Sequence, residues 1–472
     1  MREDFLWTSF SFSDKIMTLK MIKLFNTITA KKEIFKSLKR NRVSIYTCGP
    51  TVYWYAHLGN FKTYIFEDIL RRTLKYNRYK IKQVMNITDV EDKIIKKSQS
   101  ERKSISRITE PYTKIFFHDL KKINIEKAEF FPKATDHIKE MINIIKTLLK
   151  KGVAYKGLDG SIYFNVSKFK NYGKLSKLNK REIILGARVS SDEYKKEEAQ
   201  DFVLWKSKKP NEPYWPSPFG EGRPGWHIEC SAMAIKYLGA SFDIHAGAVD
   251  LIFPHHENEI AQSEAATGKK FANYWIHGEH ILVDGQKMSK SLGNFYTLRD
   301  IENKKINPLA FRYFVLNSHY RSKLNFTWPA LESAQSALDN LYEIISQLKN
   351  TGKNNKKMVN FFKENFLKSI NDDLNTPKAL SVLWQIIKEP RFSDKDKKQL
   401  ITEFDKVLSL GLSSIKPFKI PLKIKELAGQ REILRNNKQF IPADTLRKKI
   451  ERLGYIVEDT EKGPKVRKII NH

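Results

Sequence analysis

The sequence predicts an α/β chain: a doubly wound parallel-sheet domain with an inserted subdomain, a helical bundle and a small C-terminal domain. Three observations predict this order. A strand, loop, helix and strand follow one another near residues 43–87, an α/β pattern returns after residue 222, and the pattern is mostly helical from about residue 308. The chain has 472 residues, 41 % of them hydrophobic, which is enough for two to four domains.

The first predicted strand covers residues 43–48, because its residues alternate and include β-branched side chains. Gly49 and Pro50 end it. Ile65, Ile69 and Leu74 then recur at helical spacing, and residues 81–87 form a second buried strand. This succession opens a Rossmann-type nucleotide-binding domain, whose ligands bind at the carboxyl end of the first strand.

The remaining pattern divides the chain into six segments. Residues 209–218 are rich in Pro and Trp and mark a connector, while residues 333–349 predict an amphipathic helix and residues 454–458 a strand. We expect a disordered leader, two halves of the Rossmann domain around a connective insertion, a helical domain and a basic C-terminal domain. The predicted bounds are 1–20 for the leader, 21–130 and 222–307 for the two halves of the Rossmann domain, and 131–221 for the insertion between them. The helical domain is predicted at 308–415 and the C-terminal domain at 416–472.

Composition narrows the classes of protein. Lysine and arginine number 85 against 53 acidic residues, giving a net charge of +32 that favours a polyanionic partner, although a generally basic proteome is the alternative. Only two cysteines are present, which excludes a disulfide scaffold or a CxxC ribbon and fits the cytosol. No apolar run reaches the roughly 18 residues of a membrane span, and residues 1–20 lack the apolar centre of a signal peptide.

The strongest local signal is the string Lys287-Met288-Ser289-Lys290-Ser291. Two lysines in a short loop can bracket a polyphosphate and neutralise the charge that develops as pyrophosphate leaves. A bare Lys/Ser loop is usually only solvated. The full string, however, resembles the second signature of class I aminoacyl-tRNA synthetases.

A second signal is His57-Leu58-Gly59-Asn60, which is similar to the first class I signature, His-x-Gly-His. Asn60 departs from the usual histidine, but asparagine can donate to a phosphate and is a good helix N-cap. Gly59 would let the adenine or ribose approach the backbone. Alone this string is a weak signal, since a histidine near a strand end is more often structural.

The third signal is the pair His255 and Glu259, which are four residues apart. On a helix both side chains point to one face, as two ligands of one metal should. A solvated helix face is the alternative. The zinc-protease pattern HExxH fails, because Ile260 stands where the second histidine is needed.

Taken together, strings in this order resemble the cysteinyl-tRNA synthetases, a family of class I enzymes, from about Met21 almost to the C-terminus. The strings that carry the resemblance are residues 48–53, 57–60, 86–89, 222–233, 242–245, 253–262, 287–294 and 319–322. Several of them are diagnostic of this one specificity.

The resemblance implies one zinc ion held by Cys48, Cys230, His255 and Glu259. Zinc is borderline soft and binds thiolate well, so it would accept the sulfur of a substrate cysteine, which serine cannot imitate. The resemblance thus gives both cysteines of the chain a single role.

The resemblance also assigns the remaining site residues. Those around the bound cysteine would be Gly49, Thr88, Trp226 and His245. Transition-state charge would be stabilised by the catalytic residues His57, Asn60, Lys287 and Lys290. ATP would contact both signatures, through His57, Gly59, Asn60, Lys287, Met288, Ser289, Lys290 and Ser291.

The implied activity has two steps: L-cysteine and ATP, with Mg²⁺, give cysteinyl-adenylate, and the cysteine then passes to the 3′ end of tRNA(Cys). We expect a cytoplasmic monomer without a membrane association, whose helical domain binds tRNA and whose C-terminal domain approaches the anticodon. Val466 stands where many relatives carry an aromatic residue. Two alternatives remain: a paralogue that joins cysteine to an amino-sugar, and an inactive RNA-binding paralogue.

Overall fold

The computed structural model describes residues 21–177, 201–289, 292–416, 420–460 and 463–468. The expected leader at 1–20 lies outside these residues, as do Lys290 and Ser291 of the second signature. No helix in the described part of the chain is both long and apolar enough to cross a membrane.

The described strands are β1 (Lys23–Asn26), β2 (Lys31–Ile34), β3 (Arg42–Thr47), β4 (Lys80–Met85), β5 (Ala154–Lys156), β6 (Ile162–Phe164), β7 (Phe202–Ser207), β8 (Gly222–Pro224), β9 (Phe242–Ala248), β10 (Ala272–Gly278), β11 (Ile281–Val283), β12 (Gln286–Lys287), β13 (Leu324–Phe326), β14 (Tyr455–Thr460) and β15 (Gly463–Lys468). The described α-helices are α1 (Leu58–Tyr76), α2 (Asp92–Glu101), α3 (Ile105–Lys122), α4 (Ile138–Lys150), α5 (Trp226–Leu238), α6 (Glu257–Thr267), α7 (Leu298–Asn303), α8 (Pro308–Leu316), α9 (Trp328–Gln347), α10 (Lys356–Asn371), α11 (Thr376–Lys388), α12 (Asp394–Leu408), α13 (Leu422–Asn436) and α14 (Phe440–Arg452).

The central sheet has four parallel strands in the order β10-β9-β3-β4. The predicted first strand, helix and second strand are confirmed as β3, α1 and β4. β4 lies on one side of β3 and β9 on the other, so the chain reverses its winding direction at β3. In open α/β sheets, ligands bind at the carboxyl ends of the strands beside such a reversal.

Between the two halves of this sheet, β5, β6, β7 and β8 form an antiparallel sheet. Residues 160–165 contain β6. Its side chains are all buried, with Phe164 stacked on Phe202 at 4.9 Å between ring centroids. These residues share one apolar core with Tyr46, Val84 and Phe242 of the central sheet, so the insertion packs against that sheet.

Residues 308–415 are mostly helical, as predicted, with one strand that the sequence pattern did not reveal. β13 pairs in parallel with β11 of the preceding region. The amphipathic helix predicted at residues 333–349 is α9, which begins earlier because Thr327 caps it by accepting a hydrogen bond from the Ala330 amide at 3.2 Å.

A buried ion pair joins the helical region after residue 308 to the Rossmann-type domain. Arg312 of α8 donates to Asp68 of α1 at 2.6 Å, and both side chains are 0 % exposed. The same guanidinium donates to the carbonyl oxygens of Leu408 at 2.7 Å and Ile123 at 3.1 Å. The Arg312 guanidinium thus links α1 and α8 to the C-terminal ends of α3 and α12.

The C-terminal residues form a small separate core. Helices α13 and α14 pack against the antiparallel pair β14 and β15. The predicted strand at residues 454–458 is β14. Val466 is buried in this core with Val457 and Ile450.

Candidate active site

A cleft of about 510 Å³ opens at the carboxyl ends of the central strands. A cavity of this size suits a small-molecule substrate. Of the predicted site residues that the structure describes, all line this cleft except His245 and Glu259. The residues brought together are Cys48, Gly49, His57, Gly59, Asn60, Thr88, Trp226, Cys230, His255, Lys287, Met288 and Ser289.

The first signature forms the start of α1, in a way that corrects one sequence expectation. The N-cap is His57 rather than Asn60: the His57 ring accepts from the Asn60 amide at 3.3 Å, and Asn60 Oδ1 accepts from the His57 amide at 3.1 Å. The reciprocal pair is a capping box. The helix starts before Asn60 because the chain is already extended at His57 and helical at Leu58. The amide NH₂ of Asn60 takes no part in this cap.

The second signature lies beside the first. The Leu58 amide donates to the carbonyl of Tyr296 at 2.9 Å, and His57 bridges to Thr297. Asn294 fixes the loop itself, accepting from the Ser289 amide at 2.7 Å and donating to the Lys287 carbonyl at 3.2 Å. Two strings far apart in sequence thus share one wall of the cleft.

Four potential metal ligands meet at the base of the cleft: Cys48, Cys230, His255 and Glu259. One ligand atom from each lies within 4.8 Å of all the others. His255 Nε2 is 3.1 Å from Glu259 Oε1, which is 4.0 Å from Cys48 Sγ. All four are buried. Two sulfurs, an imidazole and a carboxylate are the donor types that zinc takes in proteins.

Three neighbouring elements deliver these ligands. Cys48 follows directly on β3, Cys230 lies on α5, and Glu259 lies in the first turn of α6. His255 was expected on the same helix as Glu259, but it lies just before α6, in a turn, Ile252–His256, that is kinked at Phe253. The kink precedes His255, so its side chain still meets that of Glu259, with 3.1 Å between Nε2 and Oε1.

The surroundings of the cluster shift its proton affinities in opposite directions. Burial and contact with Cys230 raise the pKa of Cys48 well above its usual value, whereas the hydrogen bond from Cys48 lowers the pKa of Cys230 to about 6. Burial lowers the pKa of His255, but Cys230 and Glu259 outweigh it and raise that pKa to about 10. Burial raises the pKa of Glu259, but His245 and His255 outweigh it and lower the value to about 2. Such a mutually charged set is ready to exchange its protons for a cation.

Sequence reasoning missed a layer of histidines behind the cluster. His256 Nε2 lies 3.3 Å from Cys48 Sγ, and His256 Nδ1 lies 2.8 Å from His277 Nε2. His227 Nδ1 lies 2.9 Å from His255 Nδ1. Residues 227–277 contain five of the chain's 11 histidines, a density that could have drawn attention to them.

These histidines create a second group that could hold a metal: Cys48, His245, His256 and Glu259. His245 and His256 do not line the cleft, whereas Cys230 and His255 do. Only a metal in the first group could accept a further ligand from the cleft. The geometry therefore favours the set with two sulfurs.

The residues expected around substrate cysteine differ in position. The Gly49 amide donates to Asn86 Oδ1 at 2.9 Å, and a Cβ at Gly49 would lie 1.7 Å from the Asn86 carbonyl oxygen. Trp226 lies over His255, with 4.2 Å between ring centroids, and Thr88 donates to Glu229 at 3.2 Å.

His245 is placed differently, buried behind Glu259, with Nε2 3.0 Å from Oε2. It stacks on Trp275 with 4.5 Å between ring centroids. Direct contact between His245 and a substrate stays a prediction.

Comparison with known proteins adds family evidence. Residues 34–336 match the family described as the class I (C) catalytic domain of tRNA synthetases, and residues 365–411 match a DALR domain. A cysteine–tRNA ligase from Protochlamydia amoebophila (strain UWE25) is 46 % identical over 95 % of this chain and 98 % of that protein. One from Brachyspira hyodysenteriae is 47 % identical over 95 % and 99 % of the two chains.

A solved structure shares the fold at low identity. The methionyl-tRNA synthetase of Mycobacterium tuberculosis, in complex with methionyl-adenylate, superimposes with a TM-score of 0.58 at 13 % identity. The superposition covers 79 % of this chain and 93 % of that one.

Proposed function

The chain belongs to the cysteine–tRNA ligase family of class I aminoacyl-tRNA synthetases, and from that membership we propose how its cleft selects and activates cysteine. As a member, it is an enzyme that uses ATP to join cysteine to tRNA. The amino-sugar ligase and the inactive paralogue are not favoured, because the relatives match over nearly the whole chain, including its helical C-terminal half.

The group of four candidate metal ligands is the observation that supports the proposed selection mechanism. Cys48, Cys230, His255 and Glu259 would hold one Zn²⁺ at the base of the cleft, which the first three of these residues line. Bound there, zinc supplies a soft Lewis acid that takes the thiolate of cysteine and discriminates against the hard hydroxyl of serine. A pocket that relied on shape alone would separate the two amino acids only weakly.

The surrounding residues would position the substrate. Gly49 leaves room beside its backbone, where a side chain would collide with Asn86. Trp226 covers the cluster on the cleft side, and Thr88 closes the far wall through Asn86 and Glu229. These contacts would hold the carboxylate of cysteine toward the two signatures.

The signatures would stabilise charge during adenylate formation. His57 and Asn60 lie at the start of α1, where the backbone N–H groups also favour an anion, and Lys287 lines the same cleft. Lys290, outside the described residues, would add a second cation, and Mg²⁺ would accompany ATP. Positioning and electrostatics, rather than a general base, would carry this step.

The second substrate would be tRNA(Cys), which the net charge of +32 favours. We place the enzyme in the cytoplasm as a monomer. Immunoblotting of cell fractions tests the location, and the molar mass from light scattering tests the oligomeric state.

Exchange of labelled pyrophosphate into ATP tests the selection mechanism. The wild-type chain should catalyse exchange with cysteine and not with serine, and it should contain one zinc per chain. Cys230→Ala should lose both the metal and the exchange. Met233→Leu, three positions further along α5 and equally buried, is the matched control and should keep both, because the two side chains have similar volumes.

Two results would refute the proposal. Cys230→Ala with full zinc and unchanged exchange would show that Cys230 is only structural. Equal exchange with serine in the zinc-loaded wild type would show that the metal does not select the substrate.

A further inference from the structure

Three aromatic side chains form a cluster at the edge of the cleft, which we call the aromatic rim: Trp54, Tyr55 and Tyr112. Their ring centroids are 5.4 to 5.8 Å apart. All three line the cleft, yet Trp54 is 41 % exposed, whereas Val52 two residues earlier is buried. Trp54 therefore presents part of its indole to the solvent beside the cleft.

Two cations hold the rim in place. Lys97 Nζ lies 4.5 Å from the Trp54 ring centre and 4.3 Å from that of Tyr112, and it donates to Tyr112 Oη at 2.7 Å. Arg299 lies 4.5 Å from the Tyr55 ring and donates to its hydroxyl at 2.5 Å. The rings are therefore fixed before any ligand arrives, which reduces the entropy lost on binding.

The rim continues into a positively charged surface. Exposed cations follow it along α2 and the turn into α3: Lys93, Lys96, Arg102, Lys103 and Arg107. Of the acidic residues on α2, Asp92 is paired with Lys206 and Arg223, and Glu101 is paired with Lys103. A polyanion approaching the rim from this side would meet mostly unmatched positive charge.

An exposed aromatic face with fixed cations beside it is the surface on which unpaired nucleobases stack. Two sources of such a base reach this cleft, ATP and the single-stranded end of tRNA. Trp54 contacts Lys97 of α2 and Tyr112 of α3, so it lies on the cationic side of the cleft. The two signatures, which would bind ATP, meet elsewhere in the cleft: Phe295, just after the second signature, packs on His57 of the first with 5.1 Å between ring centroids. The base of an RNA strand fits this position better than that of ATP.

We propose that the aromatic rim stacks an unpaired base at the 3′ end of the tRNA and guides that end into the cleft, a role that rests on the proposed function. The backbone phosphates behind that base would follow the cations of α2. Trp54 supplies the stacking face, and Lys97 and Arg299 position the rings.

The test compares Trp54→Ala and Trp54→Phe with wild type, using a tRNA(Cys) transcript and the same transcript lacking its single-stranded 3′ nucleotides. Trp54→Ala should raise the KM for tRNA in aminoacylation about tenfold, as the loss of one stacked base implies. Trp54→Phe should stay within about twofold of wild type, since a smaller ring still stacks. Removing the 3′ nucleotides should weaken tRNA binding by wild type more than binding by Trp54→Ala, which then loses only the phosphate contacts of those nucleotides.

Tyr214→Ala is the matched control. Tyr214 is 44 % exposed, with Lys208 Nζ 3.6 Å from its ring centre, but it does not line the cleft. It should change neither the KM for tRNA nor the effect of truncation.

Pyrophosphate exchange, which needs no tRNA, separates the remaining outcomes. An equal rise of the KM for ATP in Trp54→Ala would assign the rim to ATP and overturn the proposal. Equal loss of affinity on truncation in wild type and Trp54→Ala would also overturn it. A wild-type chain that exchanges pyrophosphate but never charges tRNA would instead refute the proposed function.

Discussion

Replacing Arg312 with methionine should destabilise the whole protein, because this residue ties α1 to the helical region. The substitution keeps most of the side-chain volume but removes three hydrogen bonds, to Asp68, Leu408 and Ile123. Both charged groups are fully buried. Removing one partner of a buried pair typically costs 3–5 kcal/mol, since the other charge is left without compensation.

The structure places the cost at the lower end of that range. Without Arg312, Asp68 still accepts from Arg72 Nε at 2.7 Å and from the Glu126 amide at 2.9 Å, so its carboxylate is not stranded. The loss is then one charged hydrogen bond and two carbonyls without their donor. We expect the free energy of unfolding to fall by about 3 kcal/mol.

Urea unfolding, followed by tryptophan fluorescence, measures this change. Trp384 is a suitable reporter because its indole donates to Tyr313, the neighbour of Arg312, at 3.0 Å. Arg312→Lys should recover little, because one ammonium cannot serve three acceptors set in different directions. Adding Asp68→Leu to Arg312→Met should cost less than the sum of the two single changes.

A loss below about 1 kcal/mol for Arg312→Met would refute this reasoning, since it would mean that the pair contributes no more than an exposed ion pair. If the free-energy cost of the double substitution equalled the sum of the costs of Arg312→Met and Asp68→Leu, the two charges would not be coupled in the folded state.

Three further predictions concern other positions. Gly49→Ala should abolish pyrophosphate exchange, because its Cβ would lie 1.7 Å from the Asn86 carbonyl; exchange within tenfold of wild type would contradict the close approach. Glu67→Met should raise the free energy of unfolding by about 2 kcal/mol at pH 8, because among the described residues neither carboxylate oxygen has a hydrogen-bond partner. Burial raises the pKa of Glu67 well above its usual value, so the unfolded chain loses this proton from about pH 4.5 upward, before the folded chain does. The cost of the wild-type residue therefore grows with pH, and urea unfolding at pH 5 should show a smaller gain than at pH 8; equal gains would contradict this. Asp373→Asn should lower the Tm and cost about 2 kcal/mol, because this buried carboxylate accepts from Tyr320 Oη at 2.7 Å and from the amide of β1 at 2.8 Å; an unchanged Tm would count against it.

The elements that could be predicted are those whose signal is local. β3 and α1 carry a clear alternation and a clear helical period, and the four-residue spacing of His255 and Glu259 still brings these side chains together, although the chain is kinked at Phe253 just before them. β13 could not be predicted, because three residues carry no period and its partner β11 lies in another region of the chain.

The candidate site divides in the same way. The two signatures and the metal ligands stand out as strings, so the order of residues along the chain is enough to predict them. The contacts of His256 with Cys48 and His277 depend on how β9, β10 and α6 pack, which no single string records. The aromatic rim combines Trp54, in the loop before α1, with Tyr112 of α3, and only the packing of that loop on α3 brings them together.

The chain has only two cysteines, and both lie in the metal cluster at the base of the cleft. The protein therefore carries a built-in reporter: any reagent that counts thiols reads this one place and nothing else. If two thiols react after treatment with a chelator and none react in the protein loaded with the proposed zinc, the thiol count measures metal occupancy directly. No engineered label is needed, and no other thiol contributes a background.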